Sequence, residues 1–355
     1  MNVLIFGAGS IGNHLANASR YLNWQVTVLD IDPKALTRMK NEIYPSRYGS
    51  WDDSIHLIEN INAVKFKPDF IIIGTPPDSH LDLALKALDL DPRGILIEKP
   101  LCTPSMDGLS EFKNAINDSS IKAYVGYNHV LGKASQKIGE LIKSNNFGNI
   151  VTIDVEFREH WGGIFAAHHW LSGPSDSYLG SFKNGGGATG EHSHAINFWQ
   201  HLSELTNCGK VSRIDATMDF VKEGNCFYDR VSSINLITEK NLVGRVIQDV
   251  VTKPSKKWAR LQFDAGFIEW NCESNVKDSI SYQDCNMNNI DRIDFHKNRP
   301  DDFIIELEHI EENISSEHSD SSPISLEKGC DTMAIISKAY KSGLEKCPNI
   351  LNSKI

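Results

Sequence analysis

The stretch VLIFGAGSIG, which spans Val3–Gly12, decides the fold of the N-terminal part of the chain. Its first four residues are apolar, a pattern typical of a short strand that is buried on both faces. Three glycines follow with the spacing G-x-G-x-x-G. Gly7 allows a tight turn, Gly9 lets a pyrophosphate approach the backbone, and Gly12 lets the next helix pack closely on the strand. The stretch therefore predicts a strand, a turn and a helix whose N-terminus binds a dinucleotide, in preference to a surface turn with a chance match.

An acidic residue at the end of the second strand bears on which dinucleotide is bound. The strand-like run Gln25–Leu29 ends at Asp30, about 20 residues after the glycines, where a carboxylate accepts hydrogen bonds from the adenine ribose. The charges of Asp30 and Asp32 would repel a 2′-phosphate, so we expect NAD rather than NADP. The cations Lys34 and Arg38 lie close to Asp30 in the sequence, so NADP remains an alternative cofactor.

Strands and helices alternate along the first 125 residues. Further apolar strands are predicted at Asp69–Thr75, Gly94–Ile97 and Ala123–Gly126, with helices from about Ser79 and through Leu109 between them. This alternation predicts an α/β domain with a doubly wound parallel sheet. We assign residues 1–125 to this nucleotide-binding domain.

A lysine stands directly after one of these strands. The strand Gly94–Ile97 runs into Glu98-Lys99-Pro100, and the carboxyl ends of parallel strands are where such sheets bind ligands. Proline removes a backbone donor, and the bond that precedes it is a candidate for the cis isomer, which would fix the direction of Lys99. The alternative is that Glu98 and Lys99 are two solvated charges at a strand end.

The pattern changes after Tyr127-Asn128-His129, and residues 126–355 are assigned to a second domain. Several segments alternate apolar and polar residues, which predicts a large, mainly antiparallel open sheet with helices on one face. The predicted strands are Val151–Phe157, Ile214–Phe220, Val231–Ile237, Leu242–Val250, Trp258–Phe263 and Phe267–Trp270. Two helices are predicted near the end, at Phe303–Ile310 and Thr332–Leu344.

A second candidate site lies in the glycine-rich segment Gly185–Trp199. Three glycines can bring a backbone close to a ligand, and the residues after them predict a helix on which Glu191, His194 and Asn197 share a face. In one interpretation His194 is a general base, and Glu191 or Asn197 orients it.

Two other interpretations of the same histidines remain. Together with His168 and His169 they could form a metal site, although no HExxH-like spacing or acidic ligand cluster supports one. They could also be ordinary solvated or core residues of a helix. We therefore expect no metal.

Composition excludes several classes of protein. The 355 residues carry a net charge of −10 without a sustained run of Lys or Arg, which argues against nucleic acid or an anionic membrane as the main partner. Seven cysteines form no CxxC pair, so neither a zinc site nor a disulfide framework is indicated. The N-terminus has no leader pattern and no apolar stretch is long enough to span a bilayer, so we expect a cytoplasmic protein.

Together these motifs resemble those of the Gfo/Idh/MocA oxidoreductase family. The resemblance rests on the glycine fingerprint of Val3–Gly12, on Glu98-Lys99-Pro100 and on the glycine run that leads to His194. It implies a Rossmann domain followed by an α/β domain with an open sheet, NAD(P)-dependent chemistry at a sugar or cyclitol carbon, and homodimers or homotetramers. It also implies that Lys99 touches the nicotinamide and the reacting oxygen, and that His194 is the acid/base.

The family pattern is broken at one position. The family usually places an aspartate four residues before the histidine, but Gly190 stands there and Glu191 follows it. Either Glu191 has taken over the aspartate's role, or a second carboxylate is dispensable. The candidate catalytic residues are therefore Lys99, His194 and Glu191.

The remaining candidates line the cofactor or the substrate. The predicted cofactor contacts are Gly7, Gly9, Ser10, Ile11, Gly12, Asp30, Thr75, Pro76, His80, Glu98 and Lys99. The predicted substrate contacts are Lys99, Asn128, His129, Arg158, His169, Trp170, Tyr178 and His194. For His80, a polar role near a helix start is favoured over catalysis.

The chemistry of hydride transfer explains why a lysine and a histidine are needed. An imidazole can remove or return the hydroxyl proton near neutral pH, and an ammonium group stabilises the developing alkoxide. We expect Lys99 and His194 to lie at opposite edges of one pocket above the nicotinamide. The rival hypothesis is a sensor that binds a dinucleotide without turning it over, and retention of both residues disfavours it.

Overall fold

The computed structural model describes residues 1–144, 146–166, 168, 170–274, 276–298, 300–316 and 322–347. The chain divides into two compact units. The first contains Met1–Asn128 and Pro300–Gly329, and the second contains His129–Arg299 and Cys330–Ile355. Each unit is described by itself below.

The first unit is built on a parallel sheet of six strands. Their spatial order is β3-β2-β1-β4-β5-β6, so β1 lies in the middle, where the order of the strands reverses. The strands are β1 (Asn2–Phe6), β2 (Gln25–Leu29), β3 (Ile55–Ile58), β4 (Phe70–Ile73), β5 (Gly94–Ile97) and β6 (Lys122–Val125). The predicted parallel sheet is confirmed. The edge strand β3 was not predicted, because its four residues are only partly buried and show no long apolar run.

Helices connect these strands and leave β1, β4 and β5 almost entirely buried. They are α1 (Ser10–Tyr21), α2 (Pro33–Arg38), α3 (Tyr44–Tyr48), α4 (His80–Leu88) and α5 (Leu109–Asn117), with a π-helical turn at Met39–Ile43 between α2 and α3. Strands that are covered on both faces need apolar residues at every position, which is why they read as continuous apolar runs.

A segment from near the C-terminus completes the first unit. Helix α10 (Asp301–Ser315) packs on α1, where Phe303 stacks on His14 with ring centroids 4.9 Å apart. At the sheet edge, Lys122 Nζ donates to the carbonyl oxygen of Asn313 at 2.5 Å, and Tyr124 forms a bridge with Ser325. The sequence-based division placed this segment in the second domain, because an amphipathic helix does not reveal which surface it covers.

The second unit is built on an eight-stranded sheet with the order β14-β13-β12-β11-β7-β10-β9-β8. All neighbours are antiparallel except the pair β7 and β10, so the predicted mainly antiparallel sheet is confirmed. The strands are β7 (Ile150–Arg158), β8 (Val211–Glu223), β9 (Cys226–Thr238), β10 (Val243–Asp249), β11 (Lys256–Phe263), β12 (Gly266–Ser274), β13 (Lys277–Gln283) and β14 (Asp291–His296).

Helices pack on this sheet and carry the second candidate site. They are α6 (Lys133–Lys143), α7 (Trp161–Ala166), α8 (Gly187–Glu191), α9 (His194–Leu205) and α11 (Leu326–Glu345), of which residues from Cys330 onward belong to the second unit. The fully buried Trp199 of α9 donates its indole N–H to the carbonyl oxygen of Ile153 in β7 at 2.9 Å. A side chain at Gly244 would begin 2.7 Å from that indole nitrogen, so glycine at this position lets α9 lie close to the sheet. None of the helices in the described ranges has the length and hydropathy that a bilayer span requires.

Candidate functional site

The glycine turn after β1 has the geometry of a phosphate-binding turn. Gly7 has a φ of +101°, which favours glycine, and a Cβ on Gly12 would lie 2.0 Å from the Gly7 carbonyl oxygen. These two glycines are therefore required by the fold itself. Gly9 differs, because no described atom lies within 4 Å of where its Cβ would be. The space above Gly9, at the N-terminus of α1, fits an approaching pyrophosphate.

Asp30 at the end of β2 stabilises this turn. One carboxylate oxygen accepts a hydrogen bond from the backbone N–H of Ala8 at 2.8 Å, and the other accepts from the N–H of Asp32 at 2.9 Å. Each carboxylate oxygen can accept a further hydrogen bond. Asp30 can therefore hold the turn and still accept hydrogen bonds from a ribose hydroxyl.

Arg47 on α3 reaches the same turn and was not predicted. Its two terminal nitrogens donate to Ser10, one to the carbonyl oxygen at 2.9 Å and the other to the hydroxyl oxygen at 2.8 Å. A guanidinium at a helix N-terminus adds to the positive end of the helix dipole, so this corner attracts anions. No local pattern could identify Arg47, because 37 residues separate it from Ser10.

An open cavity of about 340 Å³ lies beside α2 in the first unit. Its lining includes Lys34 and Arg38, the two cations because of which NADP remained an alternative cofactor, together with Pro33, Thr37 and Glu42. The cavity therefore presents both signs of charge.

The lysine turn after β5 is held by a buried histidine. The Lys99–Pro100 peptide bond is cis, and Lys99 itself is half-buried. His80 is 0% exposed, and its ring nitrogens face two carbonyl oxygens, that of Thr75 at 2.7 Å and that of Pro100 at 3.1 Å. Burial lowers the pKa of His80 despite these hydrogen bonds. His80 therefore links the turns that follow β4 and β5.

The side chain of Glu98 is buried in the core of the first unit. It is 6% exposed, one carboxylate oxygen accepts from the N–H of Lys99 at 3.3 Å, and a Cβ on Gly126 would lie 2.8 Å from the other oxygen. On α10 the fully buried Glu306 has its pKa raised well above the usual range, first by burial and then by the charge of Glu98. Glu98 therefore supports the backbone of Lys99 from within the core.

In the second unit, the helix predicted to carry both Glu191 and His194 is interrupted. Helix α8 ends at Glu191, and α9 begins at His194 after a turn at residues 192–193. The carbonyl oxygen of His192 accepts from the side-chain nitrogen of Gln248 at 2.6 Å and from the N–H of Ala195 at 2.8 Å. The shared helical face was therefore a wrong prediction, because a non-local hydrogen bond from β10 stabilises a turn at this point.

The structure brings two predicted site residues of the second unit together. The rings of His194 and His129 are perpendicular, with centroids 4.6 Å apart, and His129 also packs edge-on against Phe157. Asn197, one proposed orienter of His194, instead donates its amide N–H to the Thr332 hydroxyl at 3.3 Å.

Arg158, a predicted substrate contact, is engaged by acids of its own unit. Its Nε donates to the fully buried Asp249 at 2.5 Å, and Glu156 lies 3.7 Å from Nη1. Burial raises the pKa of Asp249, but hydrogen bonds from Arg158 and Thr252 outweigh it and lower the pKa overall. The Arg158 charge is thus largely compensated before any ligand binds.

The other predicted substrate contacts lie at several places in the chain. Trp170 packs against His168 with ring centroids 5.3 Å apart, and Tyr178 packs against an apolar cluster that includes Leu179 and Ala188. Asn128 starts a 3₁₀ turn, and His169 lies outside the described residues. In the part of the chain that the structure describes, no group of three or more His, Cys, Asp or Glu side chains could hold a metal ion.

The N-terminal part of the chain is similar to known proteins. Residues 1–127 match the family model of GFO_IDH_MocA, described as an oxidoreductase family with an NAD-binding Rossmann fold. An oxidoreductase of Formosa agariphila is 25% identical over 162 residues, which are 44% of this chain and 46% of that protein. The glucose-6-phosphate 3-dehydrogenase of Bacillus subtilis is 27% identical over 158 residues, which are 44% of this chain and 42% of that enzyme. The matched segments span less than half of each curated relative.

A solved structure extends the likeness to the whole fold. Levoglucosan dehydrogenase in complex with NADH and levoglucosan has a TM-score of 0.78 at 16% identity, and the match covers 97% of each chain. At this identity the likeness establishes the fold. The family match and the open glycine turn agree on one point: residues 1–127 are similar to the NAD-binding Rossmann fold of the GFO_IDH_MocA oxidoreductase family.

Proposed function

We propose that this protein is an NAD-dependent oxidoreductase that transfers a hydride between the nicotinamide and a hydroxyl or keto carbon of a sugar, a sugar derivative or a cyclitol. The observation that carries this proposal is the position of Lys99, which directly follows β5 in a turn that the buried His80 contacts at Pro100, in the unit with the open glycine turn. The names of the similar proteins support a sugar substrate, since one is a glucose-6-phosphate 3-dehydrogenase and another is a levoglucosan dehydrogenase.

Lys99 would stabilise charge at the reacting oxygen. NAD supplies the hydride acceptor when it is bound, and the protein must stabilise the alkoxide that develops as the hydride leaves. An ammonium group placed within hydrogen-bonding distance of that oxygen does so by direct electrostatic attraction. The contacts of His80 and Glu98 with the turn restrict the positions that Lys99 can adopt.

His194 would move the proton of the same hydroxyl. An imidazole can accept or return a proton near neutral pH, and the edge-on ring of His129 limits the orientations that His194 can adopt. Glu191 ends the helix before it and is the weaker candidate for assistance. Asn128, His129, Trp170 and Tyr178 remain proposed substrate contacts, as do Arg158 and His169.

We further propose that NAD is preferred over NADP and that the protein forms a cytoplasmic homodimer or homotetramer. Asp30 supports the cofactor preference, because its carboxylate would repel a 2′-phosphate. Titration of the protein with each cofactor should give tighter binding of NAD. If NADP binds more tightly, the positive charges of Lys34 and Arg38 outweigh the repulsion by Asp30.

Analytical ultracentrifugation tests the proposed homodimer or homotetramer, and a monomer at micromolar concentration contradicts it.

Absorbance in the reduced-nicotinamide band tests the proposed reaction. The protein is mixed with NAD and a panel of sugars and cyclitols that includes glucose 6-phosphate and levoglucosan, and a rise in absorbance with at least one member is expected. Tight NAD binding without turnover of any member would favour a sensor that binds the dinucleotide and does not react.

A further inference from the structure

Asp229 on β9 is a carboxylate that is fully buried among neutral donors. One of its oxygens accepts from the backbone N–H of Thr189 at 2.9 Å and from the Thr189 hydroxyl at 2.7 Å. The other oxygen accepts from the Tyr340 hydroxyl of α11 at 2.7 Å. A buried charge held by neutral hydrogen bonds alone is costly, which makes the protonation state of Asp229 sensitive to its surroundings.

These contacts act on the glycine run that leads to His194. Gly187 has a φ of +79°, and a Cβ there would lie 2.1 Å from an oxygen of Asp229. Thr189 is the third residue of α8, so Asp229 holds the first turn of that helix. Gln248 holds the other end through the carbonyl oxygen of His192, two residues before His194. The path of the chain into α9 is thus determined at both ends of α8.

The Tyr340 hydroxyl faces two acceptors but has a single hydrogen. Besides the Asp229 oxygen at 2.7 Å, the carbonyl oxygen of Gly186 lies 3.0 Å away. When Asp229 is ionised, the hydroxyl donates to it and the Gly186 carbonyl loses this donor. When Asp229 carries a proton, that proton is donated to the tyrosine oxygen and the hydroxyl donates to Gly186. The two protonation states therefore differ at the residue just before α8.

The pKa of Asp229 allows both of its protonation states to be populated at ordinary pH values. Burial raises the pKa of Asp229 to about 6, against the hydrogen bonds from Thr189 and Tyr340. Burial, with the charge of Asp229, raises the pKa of Tyr340 well above its usual range, so Tyr340 stays neutral. The group facing Asp229 from α8 is Thr189, the group from α11 is Tyr340, and the neighbouring strand β8 pairs Phe220 with it.

We propose that Asp229 and Tyr340 are positioning residues for His194, and that the proton on Asp229 selects which acceptor the Tyr340 hydroxyl engages. This inference rests on the proposed function, in which His194 moves the substrate proton. Uptake of one proton by Asp229 from solvent releases the tyrosine hydroxyl to Gly186 and changes the start of α8. The altered backbone then changes the environment of the imidazole that follows.

The test measures the NMR chemical shift of the His194 imidazole itself and needs no substrate. Protein labelled with ¹³C in its histidine rings is titrated by NMR between about pH 5 and pH 8, and the His194 signal is assigned from its absence in His194→Gln. In the wild type we expect the His194 shift to show an inflection near pH 6 in addition to its own titration. Asp229→Asn should remove this inflection, because the amide can accept from Thr189 and donate to Tyr340 at every pH.

Two further variants make the test specific. Tyr340→Phe should also remove the inflection from the His194 curve, because it deletes the hydroxyl that chooses between Asp229 and the Gly186 carbonyl oxygen. This result remains available if Asp229→Asn fails to fold. Tyr228→Phe, which alters the neighbouring buried tyrosine of β9, should leave the curve unchanged. Identical His194 curves in wild type, Asp229→Asn and Tyr340→Phe would overturn the inference. Full turnover by His194→Gln would instead refute the proposed function and leave the NMR result intact.

Discussion

Replacing Gly9 by alanine tests whether the space above the glycine turn is the cofactor site. The Cβ added by this substitution would have no described atom within 4 Å, and Gly9 has an ordinary φ of −73°. Alanine at a helix N-cap is slightly worse than glycine, but it also restricts the unfolded chain by about 0.4–1 kcal/mol. We therefore expect Gly9→Ala to change the free energy of unfolding by less than about 1 kcal/mol.

Its effect on NAD binding should be much larger. A methyl group that intrudes on a filled site typically costs about 1–3 kcal/mol, which corresponds to about 5- to 150-fold weaker binding. Isothermal titration calorimetry with NAD measures the affinity, and urea unfolding measures the stability. Two variants calibrate the result. Gly173→Ala also adds a methyl group in open space and should change neither quantity, whereas Gly12→Ala should reduce both, because its Cβ would lie 2.0 Å from the Gly7 carbonyl oxygen.

Unchanged NAD affinity in Gly9→Ala would refute this reasoning. The dinucleotide would then have to bind away from the N-terminus of α1, and the open space at Gly9 would be an ordinary surface feature.

Three other predictions concern single side chains. Lys99→Ala should leave NAD affinity nearly intact and reduce turnover by at least about 100-fold. The control Lys86→Ala, at an exposed lysine, should match the wild type in both. Wild-type turnover in Lys99→Ala would contradict the catalytic role assigned to Lys99. His194→Ala should lower kcat by about 10²–10⁴-fold and change its pH profile, so an unaltered profile would place the base elsewhere. Glu306→Gln should raise the urea midpoint at pH 8 but not at pH 4. The raised pKa keeps Glu306 protonated in the folded state, so wild-type stability falls as pH rises above the value at which the unfolded chain ionises. Equal midpoints for wild type and Glu306→Gln at pH 8 would show that no buried proton is held there.

Local features of the chain could be predicted because their causes are local. The strand and glycine turn of Val3–Gly12 follow from neighbouring residues, since buried parallel strands are apolar and a tight turn needs glycine. The same holds for Lys99, which directly follows a buried strand, and for the alternating strands of the second sheet. The parallel sheet, the antiparallel sheet and the family resemblance were therefore available from the sequence by itself.

Only the tertiary structure decided how distant residues act on those features. Arg47 reaches Ser10 across the fold, and α10 brings Glu306 under Glu98 from a segment that the sequence assigned to the other domain. Gln248 similarly interrupts a helix that local propensity would have continued through His192. The physical reason is that these contacts join residues tens to hundreds of positions apart, and a hydrogen bond or a buried charge depends on distance in space, which periodicity along the chain does not contain.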